Sequence, residues 1–400
     1  MRTTKHGIRP CLLVLAGLLV LGTGAAAARA AGPRYQVAWR VSTTGVWPPA
    51  ISDGKLMLKV GDEIHAHALS SGKRAWTRKL EDLRFGTGVL AAGARYVYVL
   101  GNAQLYLLDP TDGKVARTRA MRAPASVLYR DGSVYVSAAD GIHRLDHRAA
   151  KQLALAKGFK GELRGADGNH VVVFTRQRGV PRLVVVDLKR NKKAYGFKLL
   201  RAGWHRVLRV GGGRVVFIDY SQRTARGKNP RKLYYTEADF VRSKRIKDEE
   251  LSKKYPRTYP ERRSDSFWVA DAGKGSGVVF LANHGEPGSH SSISAYDPAH
   301  GRLLWSRSGA LTSAGLLLHR GQLWTTVTRT GSKQSSHVVA YSPDDGSELL
   351  ELDLDGAATG TPVAAGARVL VRTRRSVYCL APASGTSSPG NTSVGNKPKN

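Results

Sequence analysis

Two closely spaced histidines are the first residues in this sequence with possible metal chemistry. His65 and His67 are separated by one residue, and in an extended strand both imidazoles lie on one face, as zinc ligands can. No third ligand can be identified in the sequence. The alternative is therefore an exposed strand surface beside the Gly61-Asp-Glu loop, and we predict no metal site.

Two further segments resemble catalytic or phosphate-binding motifs. Ser289 precedes His290, a possible nucleophile and base, but no Gly-x-Ser-x-Gly pattern surrounds them, which favours a polar loop. Residues 273–277 read Gly-Lys-Gly-Ser-Gly, which lacks the spacing of a P-loop and indicates a β-turn. We therefore predict no catalytic residue in either segment.

The charge of the chain is its strongest compositional signal. The sequence has 63 Lys and Arg against 30 Asp and Glu, a formal net charge of +33. Residues 151–265 alone contain 30 basic and 11 acidic residues. A surface with this excess attracts acidic partners. The alternative is a solvated basic surface that has no partner.

Repeated turn signals indicate the elements that must position these side chains. Eight times a short apolar strand runs into a Gly-containing hairpin, and a second, outer turn follows seven times. In the best copy of the outer turn, Asp297, Gly301 and Trp305 are spaced four residues apart. A period of about 40 residues in an all-β pattern is typical of a β-propeller with one four-stranded blade per repeat.

The repeats predict an all-β, eight-bladed propeller whose ring is closed by its N-terminal strand. The last repeat lacks a fourth strand, and Tyr35–Arg40 looks like the fourth strands of other repeats. We therefore predict that a strand near residues 37–41 pairs with one near 377–380, which removes two exposed edges. The alternative is a seven-bladed ring with residues 206–265 as an excursion.

Each residue of the outer turn has a predicted structural role. The Asp is predicted to accept hydrogen bonds from the backbone N–H groups of its own turn. Trp76 and Trp305, in fourth strands, are predicted to pack on the face of the next blade. Cys379 lies in a strand pattern and is predicted to be a small core residue.

The ends of the chain and one internal segment depart from the repeat. Residues 1–30 combine a basic start, an apolar run and Ala28-Arg29-Ala30, a pattern typical of a secretory signal peptide; the alternative is an uncleaved membrane anchor. Residues 31–385 form the predicted propeller, and the polar tail 386–400 is predicted to be disordered. The charged stretch 243–265 is interpreted as an insertion, preceded by a short helix capped by Thr236 and Asp239.

Propeller geometry divides the cations between two faces of the ring. Connections from second to third strands, and from fourth strands to the next blade, share one face. The outer-turn run Lys189–Lys193 is predicted on the opposite face. We define the basic sector as the set predicted on the shared face to bind an acidic partner: Arg176, Arg178, Trp204, Arg206, Arg223, Arg226, Lys228, Arg231 and Lys232.

In its outer-turn series the chain resembles the pyrroloquinoline-quinone-like (PQQ-like) repeat propellers, over roughly residues 35–385. That family includes quinoprotein alcohol dehydrogenases and the BamB-type scaffold of outer-membrane protein assembly. The resemblance implies that a quinone-binding member has a vicinal disulfide and a calcium site. Cleavage after residue 30 leaves Cys379 alone, and no position here matches a calcium-binding carboxylate. We therefore predict no cofactor.

These observations predict an exported binding or scaffold module. Removing residues 1–30, with four basic and no acidic residues, leaves a net charge of +29 on a monomeric, periplasmic or secreted protein. Its predicted partner is an acidic protein surface or an anionic envelope polymer, and export argues against nucleic acid as a natural ligand. The alternative is a cofactor-dependent oxidoreductase of the quinoprotein type.

Overall fold

The computed structural model shows a protein built from β-strands. It describes residues 34–84, 89–199, 203–221, 232–242, 244–250, 266–271, 278–284, 292–297, 300, 302–308, 312–329 and 335–383. These residues contain 32 strands and no helix. Among them, no helix long and apolar enough to cross a membrane is found.

The strands are numbered in chain order. Strands β1 to β9 span Tyr35–Ser42, Val46–Ser52, Lys55–Val60, Glu63–Ala68, Arg74–Lys79, Leu90–Ala92, Val97–Leu100, Gln104–Leu108 and Val115–Ala120. Strands β10 to β17 span Ser126–Arg130, Ser133–Ala138, Gly141–Asp146, Gln152–Lys157, Glu162–Asp167, His170–Gln177, Val180–Asp187 and Lys192–Lys198. Strands β18 to β25 span Gly203–Gly211, Arg214–Ser221, Lys232–Asp239, Lys244–Glu250, Ser266–Asp271, Val279–His284, Ser292–Asp297 and Arg302–Ser308. Strands β26 to β32 span Thr312–His319, Gln322–Arg329, Ser335–Tyr341, Glu348–Leu354, Val363–Ala365, Arg368–Arg372 and Ser376–Pro382.

The strands form eight four-stranded antiparallel sheets, which are the blades of a propeller. Blades one to seven each use four consecutive strands, from β2–β5 to β26–β29, and blade eight has the order β1-β32-β31-β30. The prediction of eight blades is confirmed. The seven-bladed alternative is wrong, because β18–β21 form a complete fifth blade inside residues 203–250.

The N-terminal strand closes the ring by pairing with the last strand, as predicted. Along β1 and β32, Val37 is opposite Leu380 and Val41 is opposite Val377, with a bulge between Val37 and Trp39. This pairing gives the last blade its fourth strand, so that neither β1 nor β32 presents an unpaired edge there.

Buried side chains form eight apolar clusters, one at each contact between neighbouring blades. At the contact between blades eight and one, Trp39 and Leu56 pack with Cys379. Second strands such as Val97–Leu100 are buried along their whole length because each blade is covered on both faces. This explains why second strands are continuous apolar runs.

The aspartates of the outer turns bond to the backbone as predicted. Asp109 Oδ1 accepts a hydrogen bond from the Thr111 N–H at 2.7 Å, and Asp187 Oδ1 accepts one from the Arg190 N–H at 3.0 Å. Equivalent contacts occur at Asp146 (3.1 Å) and Asp297 (3.2 Å). The side chain therefore holds the tight turn that separates the third and fourth strands.

A tryptophan in the fourth strand contacts the outer turn of the next blade, which confirms its predicted packing role. Trp76 Nε1 donates a hydrogen bond to the Pro110 carbonyl at 3.0 Å, and Trp305 Nε1 donates one to the Pro343 carbonyl at 2.8 Å. A Cβ on Gly113, whose φ is +72°, would lie 2.5 Å from the Trp76 ring. The turn needs glycine both for its conformation and for this close approach. We call this arrangement the Trp–Gly contact.

The predicted short helix before the charged segment is wrong. Thr236 and Asp239 belong to β20, and Asp239 Oδ1 accepts a hydrogen bond from the Arg242 N–H at 2.8 Å. Asp239 is thus the outer-turn aspartate of blade five. A Thr-x-x-Asp spacing suits a helix cap or a turn, and pairing of β20 with β19 and β21 selects the turn.

The predicted insertion at 243–265 overlaps a strand of the ring. Lys244–Glu250 is the fourth strand of blade five. The rest of the predicted insertion, 251–265, lies outside the described residues, as do the predicted signal peptide (1–30) and the tail (386–400).

Cys379 is a core residue, as predicted. It is fully buried in β32, and burial raises the pKa of its thiol to about 11. We expect this thiol to resist an aqueous thiol reagent at pH 8 in the folded protein and to react at once in denaturant, because only the thiolate is nucleophilic. Timed absorbance measurements with and without denaturant would check this. Labelling of Cys379 at an equal rate in both conditions would contradict its burial.

Candidate anion-binding site

The structure distributes the predicted basic sector over two blades. Arg176 is the last residue but one of β15, and Arg178 lies in the turn to β16 with a φ of +48°; both residues are exposed. Lys232 opens β20. The remaining loop residues lie outside the described residues, in the connection between β19 and β20: Arg223, Arg226, Lys228 and Arg231.

The structure places Trp204 and Arg206 near the start of β18, just after the connection from blade four. Both residues are in β18, where Trp204 is opposite Tyr220 and Arg206 is opposite Ile218. Polar and aromatic residues in this segment resemble a loop, but pairing with β19 extends the strand back to Gly203.

A cavity of about 390 Å³ lies at the contact between blades three and four. We call it the seam cavity. Its apolar wall includes Val173, Val184 and Val186, which belong to the cluster between these blades, and Phe159, which packs against that cluster. Its polar lining comprises Lys160, Thr175, Arg176, Gln177, Arg182 and Lys193.

A short connection with unusual backbone geometry forms one side of the seam cavity. Residues Gly158–Gly161 join β13 to β14, and Phe159 and Lys160 within them line the cavity. Gly161 has a φ of +148°, and a Cβ there would lie 2.2 Å from the Phe174 carbonyl oxygen. Only glycine permits this close approach. The backbone of blade four therefore fixes the position of the connection and of the Lys160 backbone within it.

Strand register places Arg182 and Lys198 of blade four on one face of the sheet. Thr175 in β15 is opposite Arg182 in β16, which is in turn opposite Lys198 in β17. Arg182 shares its face with Val184 and Val186, because alternate residues of a strand point the same way. Arg182 Nε is buried and has no hydrogen-bond partner.

Lys193 reaches the seam cavity from the other end of the blade. It is the second residue of β17, just after the outer turn, where the run Lys189–Lys193 was predicted. A Cβ on Gly196 would lie 3.3 Å from both Cδ and Nζ of Lys193. The lysine side chain therefore extends along β17 and lies over this glycine. Gly196 therefore leaves room for both the lysine and the cavity.

Three of the cavity's cations were not predicted, although Arg176 was. Lys160, Arg182 and Lys193 do not form a run in the sequence and meet only through strand register and the fold of the connection. The glycines flanking Phe159 and Lys160 were the one local signal of a constrained loop at this point.

The histidine pair of blade one is engaged within its own blade. His67 is buried, and its Nδ1 lies 3.0 Å from the Gly72 carbonyl oxygen, while His65 Nε2 lies 2.7 Å from Glu63 Oε2. Burial lowers the pKa of His67. The predicted alternative of an exposed strand surface is therefore wrong for His67.

The remaining candidate sites from the sequence are a metal site, the Ser289–His290 pair and the glycine-rich segment 273–277. No group of three or more metal-ligating side chains occurs among the described residues. Ser289, His290 and residues 273–277 lie outside the described ranges.

Comparison with known proteins relates this propeller to a known family. A family model described as outer membrane protein assembly factor BamB matches residues 60–153 and 289–387. BamB from Moraxella catarrhalis aligns with 12% identity and a TM-score of 0.57, over 88% of this chain and 99% of that chain. The family-model match and the shared fold support a PQQ-like repeat β-propeller.

Other structures similar to this PQQ-like propeller differ in function. A quinohemoprotein alcohol dehydrogenase from Comamonas testosteroni aligns with 12% identity and a TM-score of 0.56, over 89% of this chain and 77% of that chain. The computationally designed Ika8 protein aligns with 13% identity and a TM-score of 0.59, over 86% of this chain and 99% of that chain. No curated protein sequence matches this one. Similarity at these identities establishes a shared fold and not a shared activity.

The cysteines of this PQQ-like propeller do not fit the quinone site that the enzymes of the family imply. A vicinal disulfide requires two adjacent cysteines, whereas the sequence has only Cys11 and Cys379. Cys379 lies fully buried in β32. The sequence therefore cannot form the vicinal disulfide of those enzymes.

Proposed function

We propose that this PQQ-like propeller is a non-enzymatic binding or scaffold module of the bacterial cell envelope. Its partner is an acidic protein surface or an anionic envelope polymer that contacts the basic sector. The observation that carries this proposal is the unequal pairing of charges on blades four and five.

On these blades, carboxylates pair with cations away from Arg176 and Arg178. Glu162 lies 2.8 Å from Arg164, and the Asp187 carboxylate lies 3.7 Å from Arg190. The pairs Arg214–Glu237 and Arg242–Asp239 have separations of 3.1 and 3.8 Å.

Arg176 and Arg178, in contrast, have no carboxylate within salt-bridge distance among the described residues. Both are exposed where β15 turns into β16. The β19–β20 connection brings four further cations between the second and third strands of blade five. Cations without a paired carboxylate, such as Arg176 and Arg178, attract an acidic surface over a distance set by ionic strength, about 8–10 Å near physiological salt.

The envelope location is supported by the sequence and by similarity. Residues 1–30 have the pattern of a secretory signal peptide. The matching family model describes an outer membrane protein assembly factor. Both observations favour export and a protein partner outside the cytoplasm.

A pull-down from envelope extract tests the proposed function. Immobilised mature protein should retain envelope components at low salt and release them between low and physiological salt, because exposed ion pairs are screened. Retained material should be an acidic protein or an anionic polymer, identified by mass spectrometry or by carbohydrate and phosphate analysis. Recovery of neutral partners by salt-insensitive binding would contradict an electrostatic site.

Lack of quinone-dependent activity is a separate prediction. After incubation with PQQ and Ca²⁺ and removal of excess ligand, the protein should show no stoichiometric quinone absorbance. It should also reduce no dye with alcohols or sugars, because it lacks the paired cysteines and calcium ligands of quinoprotein enzymes. A quinohemoprotein alcohol dehydrogenase treated in parallel is the positive control. Substrate-dependent turnover at ordinary enzymatic rates would contradict the non-enzymatic role.

A further inference from the structure

We propose that the seam cavity binds a small organic anion, a carboxylate or phosphate ester attached to a compact apolar body. This site is additional to the contact with a macromolecular partner, although Arg176 is common to both. The ligand would enter between blades three and four and place its acid group among the cations of the cavity.

The charge of the cavity lining favours an anion. Lys160, Arg176, Arg182 and Lys193 line it, and no Asp or Glu does. The acid closest in sequence, Glu162, is paired with Arg164 at 2.8 Å. Like charges held in one partly enclosed space repel each other, and a bound anion would remove that repulsion.

Arg182 is the group that most clearly lacks a partner. It lies directly opposite Lys198 in the β16–β17 register, so a second cation, and not a carboxylate, occupies the neighbouring position. Its Nε is buried without a hydrogen-bond acceptor. Buried polar groups are normally hydrogen-bonded, and a guanidinium group is well suited to a carboxylate or phosphate.

The shape and wall of the cavity indicate that the anion has an apolar part. A volume of about 390 Å³ lies within the usual range of small-molecule sites, roughly 300–1,000 Å³, and exceeds what an inorganic anion would fill. Phe159, Val173, Val184, Val186 and Phe197 supply apolar surface beside the cations. A ligand with an acid group and an apolar body would contact both the cationic and the apolar residues of the lining.

Calorimetric titration of the full mature chain tests the site, with phenyl phosphate and 4-phenylbutyrate as probes. At least one probe should bind saturably with a one-to-one stoichiometry. The neutral analogue 4-phenylbutanol and inorganic phosphate should each bind at least about tenfold more weakly, since each lacks one half of the interaction.

Two variants test the location by different means. Arg182→Met removes the unpartnered guanidinium, and Gly196→Leu fills the cavity while keeping every cation. The Gly196 site can accept a side chain if Lys193 shifts, because the three atoms nearest to its Cβ, at 3.3–3.4 Å, all belong to the flexible side chain of Lys193. Each variant should weaken probe binding at least about tenfold without a matching change in melting temperature or in affinity for heparin.

Lys157→Met is the matched control for loss of one charge. Lys157 is exposed at the end of β13 and does not line the cavity, so probe affinity should stay within about twofold of the parent. Replacement of the 223–232 cations should likewise leave probe binding intact, which separates this site from the macromolecular one. The proposal is overturned if neither probe saturates, if Gly196→Leu binds like the parent, or if Lys157→Met weakens binding as much as Arg182→Met.

Discussion

Replacing Trp39 with alanine is expected to lower the free energy of unfolding by about 3–5 kcal/mol, the usual cost of truncating a buried aromatic side chain. Trp39 is only 8% exposed and packs on Gly72 of blade one. Its Nε1 also donates a hydrogen bond to the Leu69 carbonyl at 2.7 Å. Because Trp39 belongs to β1, this Trp–Gly contact joins the last blade to the first. Equilibrium denaturation in urea measures the loss.

Two further variants of β1 separate the contribution of the Trp39 ring from that of its hydrogen bond and from that of an exposed side chain in the same strand. Val37→Ala changes a side chain that is 42% exposed and should cost well under about 1 kcal/mol. Trp39→Phe retains an aromatic ring but removes the hydrogen bond, and an intermediate loss of about 1–2 kcal/mol is expected. Equal stability of Trp39→Ala and Val37→Ala would mean that closure does not depend on the Trp–Gly contact.

Replacing the cations of the β19–β20 connection and of the first residue of β20 is expected to reduce affinity for heparin by about tenfold or more at low salt. The variant makes fewer contacts with the polyanion, and binding therefore releases fewer counterions. The variant carries Ser or Gln at five positions: Arg223, Arg226, Lys228, Arg231 and Lys232. Its melting temperature should change little, because exposed loop charges contribute little to folding. Heparin elution and binding to envelope fractions at several salt concentrations measure the effect.

A control with the same change in net charge decides whether position matters. Lys189, Arg190, Lys192, Arg242 and Lys244 provide five cations at the outer turns of blades four and five, on the opposite face of the ring. Their replacement should reduce polyanion affinity by less than about threefold, because these residues lie away from the proposed surface. If both quintuple variants lose affinity equally, overall charge explains the binding and the basic sector is only solvated surface.

Local sequence patterns predicted the structure correctly where the same turn or contact recurs in several blades. Glycine at the outer turn, aspartate four residues earlier and tryptophan four residues later predicted the turn bonds of Asp109 and the packing of Trp76. The closing register of Val37 with Leu380 was also predictable, because a blade that lacks one strand must find it at the other end of the chain.

Local patterns failed where one motif suits two structures. Thr236 and Asp239 satisfy a helix cap and an outer turn equally well, and only the pairing of β20 with its neighbours selects the turn. Residues 201–206 were assigned to the face formed by the connection between blades four and five, and pairing with β19 extends β18 back to Gly203 within that segment. Pairing energy from a neighbouring strand outweighs such weak local preferences.

Periodicity, turn chemistry and charge were therefore enough to establish an eight-bladed, strongly basic PQQ-like propeller, because each of these properties is local or repeats along the chain. The seam cavity was not predictable in this way. Lys160, Arg182 and Lys193 come from a connection and two strands, and they meet because strand register and a glycine-bounded loop bring them together. The space between them depends on how two blades pack, a property that no single segment of the sequence encodes.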